Sequence, residues 1–432
     1  MVSTLTRASH EEHQKELKKT ILISTEAIEV KMIQKMIFCD GSHAEIGRKQ
    51  GELLSAEIRH NLAAFWSALK NRSHAKKAVI KNALKLEKLW RACRLEEIEG
   101  MACGVGVAYP ELLAYNVFHD VAFPEGCTVM MAVGKTSATG DSILMKQSDK
   151  VGSEKYVGPL AYMKKEINVA IATDPAEGNK TIGVAAAGQT ALKMGMNDKG
   201  VAAGCNISRT KELTQRGTEK DATQLKALDR GALMRDGLEA GNNALEAAQT
   251  ILPGLLESPM STPGNIEFAD AREAIIIEGS YTEMATEVIR DAVAARSNRF
   301  VILKELARDD DLSSICRYIR CLELLHENKG KITLEKMIEF SQDHANGPGP
   351  NSICRHGTHF SEETSLSSMV MEINGKEPQK SRIAIALGKP CHSWVSDEAN
   401  IIADMTMGLD DIPERLRNGE IWQKYYTEKP KQ

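Results

Sequence analysis

The chain has 432 residues, 42% hydrophobic and 26% charged, with a formal net charge of −4. This is the composition of a soluble globular protein, long enough for one large domain or two ordinary ones. There is no basic excess to suggest a nucleic-acid partner, and apolar runs such as Ala274–Ile277 are far too short to span a bilayer.

The N-terminus, MVSTLTRASHEEHQKELKKT, lacks the apolar stretch of a secretory signal, so a soluble cytoplasmic protein is expected. The first third then reads as helical. His43–Lys70 places apolar residues at three- and four-residue intervals, and Lys76–Cys93 and Leu95–Ala102 continue the pattern. Tyr109-Pro110 breaks the chain before a short helix at Glu111–His119. At Phe123-Pro124-Glu125-Gly126 the character changes. Thr128–Val133 and Ser142–Lys146 read as a β-hairpin, followed by strands at Val169–Thr173, Ile182–Ala187, Leu192–Asn197 and Val201–Ile207. Asn197-Asp198-Lys199-Gly200 is a hairpin turn between the last two. Helices at Thr223–Gly237 and Asn243–Ile251 precede strands at Asn265–Ala269 and Ala274–Glu278. Helices at Ser314–Glu327 and Thr333–Asn346 precede strands at Leu366–Ile373 and Arg382–Leu387. The order predicts an α+β protein in which helices cover packed sheets.

The nine cysteines are odd in number and thinly spread, which argues against a disulfide framework. No Cys-x-x-Cys pair occurs, and Cys316/Cys321 has no second ligand pair, so no metal is expected. His10/His13 and His356/His359 lack the glutamate of a zinc motif and read as surface histidines. Gly104-Val105-Gly106 lacks a third glycine and a preceding strand, so no dinucleotide cofactor is expected.

Cys127 differs from the other thiols in position. Taken alone, a cysteine at a strand start is packing more often than chemistry. This one stands at the junction of the helical third and the first strand, behind Gly126. Glycine has no Cβ to shield the preceding carbonyl from an attacking thiol. Cleavage between Gly126 and Cys127 would leave a cysteine with both a thiol and a free α-amine. An α-amine of pKa about 7.7–8.0 can serve as base to its own thiol.

An ordered set of motifs carries a resemblance. It comprises Glu97–Ala102, Gly126-Cys127-Thr128, Gly195–Val201, Phe268–Ala271 with Glu273-Ala274, Ala295–Asn298, Ser352–His356 and Ala386–Cys391. Together they resemble the isopenicillin N acyltransferase family, self-cleaving cysteine N-terminal-nucleophile enzymes related to choloylglycine hydrolases. The resemblance runs from about Gly41 to about Trp394. It implies a four-layer αββα sandwich, with residues 1–126 a helical propeptide retained as a small subunit and 127–432 the catalytic large subunit.

The resemblance also implies site residues. Cys127 is the nucleophile, Asp149 orients its α-amine, and Asn206 and Asn298 serve the oxyanion or substrate. Arg317 is the arginine beside the nucleophile, with Arg320 and Arg355 as alternatives. Lys146, Arg299 and Arg355 are candidate substrate contacts. Relatives carry Arg or Gln, Asn and an aromatic before the acid, where this chain has Lys146, Gln147 and Ser148; they carry His where it has Arg299. The expected substrate is a small acyl amide or acyl donor, and the expected partner is the chain's own propeptide, with a homo-oligomer left open. Two other readings compete: a non-catalytic relative that keeps the fold as a binding or scaffold protein, and an uncleaved Cys–His enzyme, which lacks a histidine in any motif.

Overall fold

The computed structural model describes residues 36–71, 75–122, 125–151, 166–212, 228–257, 260, 262–357, 362–394 and 400–404. Expectations for the N-terminal stretch with His10/His13, for His359 and for the first residues of the Thr223–Gly237 helix lie outside them.

Two sheets form the middle. One has eight strands: β1 (Met36–Gly41), β4 (Asn168–Pro175), β5 (Thr181–Ala186), β6 (Met194–Asn197), β7 (Ala202–Ile207), β8 (Gly264–Ala269), β9 (Ala274–Gly279) and β10 (Met284–Ile289), in that spatial order. The other has six, ordered β11 (Val293–Arg296), β2 (Glu125–Ala132), β3 (Ile143–Val151), β12 (Glu363–Glu372), β13 (Arg382–Leu387) and β14 (Asn400–Asp404). Neighbours are antiparallel except β1 and β4.

Three apolar layers separate four structural ones. Val129, Met131, Leu144 and Met369 of the six-stranded sheet meet Ala170, Val184, Met194 and Ile276 of the eight-stranded sheet. On the far side of the larger sheet lie α1 (His43–Leu53), α2 (Ser55–Asn71), α3 (Lys76–Leu86), α4 (Ala92–Val105), α5 (Tyr109–Ala122), α6 (Arg230–Ala240) and α7 (Ala244–Glu257). On the far side of the smaller sheet, Met130, Met145 and Val370 pack on Cys321 and Leu325 of α8 (Leu312–Glu327) and on Met337 and Phe340 of α9 (Leu334–Ser341). The short α10 (Pro390–Ser393) follows β13. The fold is an αββα sandwich. Because both sheets are covered on both faces, β7 and β9 are buried at every position and read as apolar runs broken only by Asn206 and Glu278.

Side chains stop the helices where the sequence suggests. Ser42 and Glu45 form a reciprocal capping box at α1, and Asp229, Asp311 and Thr333 cap α6, α8 and α9. The single helix expected over His43–Lys70 is two, divided at Leu54. Within the described part of the expected Thr223–Gly237 helix, α6 starts at Arg230 and runs on to Ala240. Four strands were not expected from the sequence: β1, a six-residue strand in a first third that reads as helical, and three more that carry little signal. β10 is an edge strand with a half-exposed face, β11 is four residues of Val-Ala-Ala-Arg, and β14 lies beyond the last motif.

The N-terminal segment is woven into the rest. β1 pairs with β4, and α1 lies against α4 through two glycines on each helix. A Cβ at Gly47 would stand 1.9 Å from the Glu97 carbonyl oxygen, and one at Gly100 would stand 2.1 Å from that of Ala44. The helix pair is then locked to α6 by buried charges. Glu97 takes Arg94 at 2.6 Å and Arg235 at 2.8 Å, while Arg94 also reaches Asp236 and Glu239. Burial pushes the Glu97 carboxyl up, but Arg235 and Arg94 outweigh it and hold the group below its ordinary range.

Gly47→Ala tests the close approach. Alanine gains about 1 kcal/mol in helix propensity but must push two backbones apart, at about 1–3 kcal/mol or more. A net loss is expected in denaturant midpoints. Gly254→Ala in α7, where the new methyl would meet only Leu228 Cδ1 at 3.6 Å, is expected to be neutral or stabilising. Equal effects at both positions would remove the argument.

Candidate active site

Cys127 lies in β2, opposite Ser148 of β3, and is fully buried. Strand alternation assigns its face. Val129 and Met131 face the other sheet, so the Cys127 side chain points into the inter-sheet layer. Thr128 and Met130 face α8.

The main chain at Cys127 is gripped from two sides. Its N–H donates to Asn298 Oδ1 at 3.0 Å. Its carbonyl oxygen accepts from Arg317 Nη1, which also reaches Thr128 Oγ1 at 2.8 Å. Arg317 Nη2 donates to the same Asn298 Oδ1 at 2.7 Å, and Asn298 Nδ2 donates to the Ile207 carbonyl at 2.9 Å. Burial, then the charge of Arg355, lowers the Arg317 pKa to about 10. Of the three arginines considered from sequence, Arg317 is the one that touches Cys127. Arg320, one turn on, pairs with Asp343 and Glu323 nearer the surface.

Asp149 sits opposite Gly126 across the hairpin. Its Oδ1 accepts from Ser365 Oγ at 2.6 Å, and its Oδ2 lies 3.4 Å from Arg355 Nη1. Arg355 also meets Glu363 at 3.6 Å, the Pro350 carbonyl at 3.0 Å and Ser313. Its donors are thus spent on protein acceptors around Asp149. Burial raises the Glu363 carboxyl, but Arg355, Arg209 and Arg317 more than offset this and bring it to about 2. Gly126 is required by space here. A Cβ would stand 2.3 Å from Arg355 Nη1 and 3.2 Å from Asp149 Cβ.

The inter-sheet layer turns polar around the thiol's end. Lys146 hydrogen-bonds Ser148 and lies over Gly204, whose missing Cβ would come within 3.1 Å of the lysine Cγ. Asn206, paired across from Asn265, donates to the Arg296 carbonyl at 3.4 Å. Its Oδ1 and that of Asn265 have no hydrogen-bond partner among the described residues. Arg299, next to Asn298, is half-buried and outside this hydrogen-bonded set.

Sequence reasoning passed over the acids of this region. Glu278 accepts three backbone N–H groups, from Val301, Ile302 and Leu303, and pairs with Arg296 at 3.0 Å. It thereby shapes the turn that presents Asn298. Glu267 is fully buried on β8, and neither carboxylate oxygen has a hydrogen-bond partner among the described residues. Burial is the main cause that raises its pKa to about 8, with Arg296 and Lys146 pulling the other way. Its only sequence signal is an acid between the apolar Ile266 and Phe268 of the strand Asn265–Ala269.

No protein-family model matches the sequence, and neither does any curated protein. Solved structures similar to this chain include an N-acylethanolamine-hydrolyzing acid amidase ortholog from Caenorhabditis elegans, at 14% identity and a TM-score of 0.36 over 64% of this chain and 100% of that one. Penicillin V acylase from Agrobacterium tumefaciens has 10% identity and a TM-score of 0.35 over 65% and 86%. A mutant of conjugated bile acid hydrolase from Clostridium perfringens has 11% identity and a TM-score of 0.39 over 67% and 95%.

Glu267 gives a pH prediction. Its folded pKa lies above the unfolded value, so the folded chain holds a proton that the unfolded chain releases. Its favourable contribution is complete below the ordinary carboxylate pKa and is lost as pH rises through about 8. Glu267→Gln removes the ionisation. Melting curves of the two proteins should diverge between pH 5 and pH 9 in favour of the glutamine variant, at no more than about 1.4 kcal/mol per pH unit. Parallel pH dependences would refute the assignment.

Proposed function

We propose that the protein is a self-processing cysteine amidohydrolase or acyltransferase of the N-terminal-nucleophile superfamily, of the isopenicillin N acyltransferase kind. The observation that carries this is the grip on Cys127. Its backbone nitrogen is held by Asn298 Oδ1 at 3.0 Å, and the residue before it is a glycine packed against Asp149 and Arg355. An acceptor that holds an amide N–H also holds the α-amine left by cleavage at Gly126–Cys127.

The processing step balances as an N-to-S acyl shift followed by hydrolysis. The thiol of Cys127 attacks the Gly126 carbonyl, the C–N bond breaks, and the nitrogen takes up the thiol proton. Water then resolves the thioester to a Gly126 carboxylate and a free thiol. In turnover the α-amine takes the thiol proton and passes it to the leaving amine of the substrate. Asn298 holds the amine through Oδ1, and its Nδ2, with that of Asn206, serves as a donor to the oxyanion. One such donor is worth about 3–4 kcal/mol of barrier. Asp149 balances the ammonium form next to Gly126. The thioester passes to water or to an amine acceptor.

The substrate class is a small N-acyl amide or peptide. Unfilled acceptors at Asn206 and Asn265 suit its N–H groups, the protonated Glu267 carboxyl suits its carbonyl, and Lys146 suits an anionic part. The 1–126 fragment stays bound, since β1 pairs within the large sheet and α4 is ion-paired to α6.

Intact-mass measurement of the full chain should give two masses, for residues 1–126 and 127–432, that co-elute under native conditions. Cys127→Ala should remain one chain. A wild type that stays full length, with Cys127 of the native protein inert to alkylation, would overturn the reading in favour of a fold relative that binds without catalysis. Gly126→Ala should slow processing by about 100-fold, because its methyl displaces Arg355 and the scissile bond by an ångström or so.

A further inference from the structure

Two thiols and two imidazoles converge about the loop that carries Arg355. His344 follows α9, Cys354 and His356 flank Arg355, and Cys391 opens the α10 turn. One ligand atom from each lies within 4.8 Å of all the others. His344 Nε2 and His356 Nε2 are 3.2 Å apart, His356 Nε2 and Cys391 Sγ 3.1 Å, and Cys354 Sγ and His356 Nε2 3.7 Å.

Those spacings have a simple meaning. A tetrahedral zinc ion with bonds of about 2.3 Å to sulfur and 2.0–2.1 Å to nitrogen sets its ligand atoms about 3.3–3.8 Å apart. The edges from His356 Nε2 to His344 and to Cys354 lie close to that range, that to Cys391 is shorter, and all four ligand atoms lie within 4.8 Å of one another. A proton between the two imidazole nitrogens would serve only one pair, whereas a cation at the centre serves all four ligand atoms. Both cysteines are free of disulfides.

The backbone fixes the ligands independently. The Cys354 N–H donates to the Asp343 carbonyl at 3.1 Å, and that of His356 to the Pro348 carbonyl at 2.9 Å. His356 also bridges to Thr364, just before the segment of β12 that pairs with Asp149. Gly388, before α10, takes a φ of +134° and donates to the Leu366 carbonyl at 2.7 Å. The ligands thus join three segments, and Arg355, between two of them, reaches Asp149.

We propose that His344, Cys354, His356 and Cys391 form a structural zinc site that pins the 343–357 loop to α10 and so positions Arg355 against Asp149. All four positions of the ion are filled by protein, which is the mark of a structural rather than a catalytic site. The separation of the ligands along the chain, at 344, 354, 356 and 391, hides the site from any search for paired cysteines. The proposal stands whether or not the chain cleaves itself.

The full chain, purified without chelators or affinity metals, should contain one zinc ion per chain by mass spectrometry of the elements. Zinc content should fall to background in Cys354→Ser and in Cys391→Ser. Because loss of a ligand can also unfold the chain, the wild type is exchanged with Co²⁺ as a second measurement. Intense visible d–d bands and a thiolate-to-cobalt charge-transfer band are expected, both abolished by added zinc. Three results would overturn the site: wild type that takes up neither zinc nor cobalt, zinc retained in both variants, or peptide mapping that finds Cys354 and Cys391 joined as a disulfide.

Discussion

A single amide oxygen ties the centre of this molecule together. Asn298 Oδ1 accepts from the backbone of Cys127 and from Arg317, so one atom links β2, the turn after β11 and helix α8. The other end of the same side chain holds the Ile207 carbonyl at the end of β7, in the opposite sheet. Four pieces of chain from three layers meet on one side chain. Since all are buried, each lost contact would leave a polar group without solvent, at about 1–3 kcal/mol. Glu278 extends the constraint, because its carboxylate gathers the three N–H groups just beyond Asn298.

Around this centre the sandwich sorts charge by face. Asp149, Arg355, Glu363 and Arg317 lie on the α8 side of the smaller sheet, where opposite charges lie near one another. Removing one partner of such a buried pair costs about 3–5 kcal/mol, because the other is stranded. The inter-sheet face is different. There Asn206, Asn265 and Glu267 keep side-chain oxygens without a hydrogen-bond partner among the described residues, and Lys146 donates to Ser148. Charged pairs hold the strand from the α8 side, where Gln147 Oε1 has no hydrogen-bond partner among the described residues, and uncharged amides and a buried acid face the other sheet.

Much of the fold was legible because burial wrote it into composition. Strands such as Ala274–Gly279 are apolar at nearly every position, and α8 and α9 carry both caps and periodic apolar residues. The α1–α2 break at Leu54 was not legible, since no proline or glycine marks it. β10 escaped because an edge strand with an exposed face alternates weakly. Glu97 entered only as part of a motif; the structure gives it a place, as the shared carboxylate of Arg94 and Arg235.

The candidate site divides in the same way. The sequence by itself determined that Cys127 stands behind a glycine where the helical third gives way to a hairpin, whereas β2 starts two residues earlier, at Glu125, and β3 runs on past the expected Lys146 to include Asp149. The first follows from local propensity; Asp149 was implied by the family resemblance alone. Tertiary structure decided which arginine meets Cys127, that Glu267 is buried without a hydrogen-bond partner among the described residues, and that His344, Cys354, His356 and Cys391 converge. None of these is local. Each depends on strands and loops tens to hundreds of residues apart being brought within a few ångströms by the packing of two sheets, and no spacing along the chain records that distance.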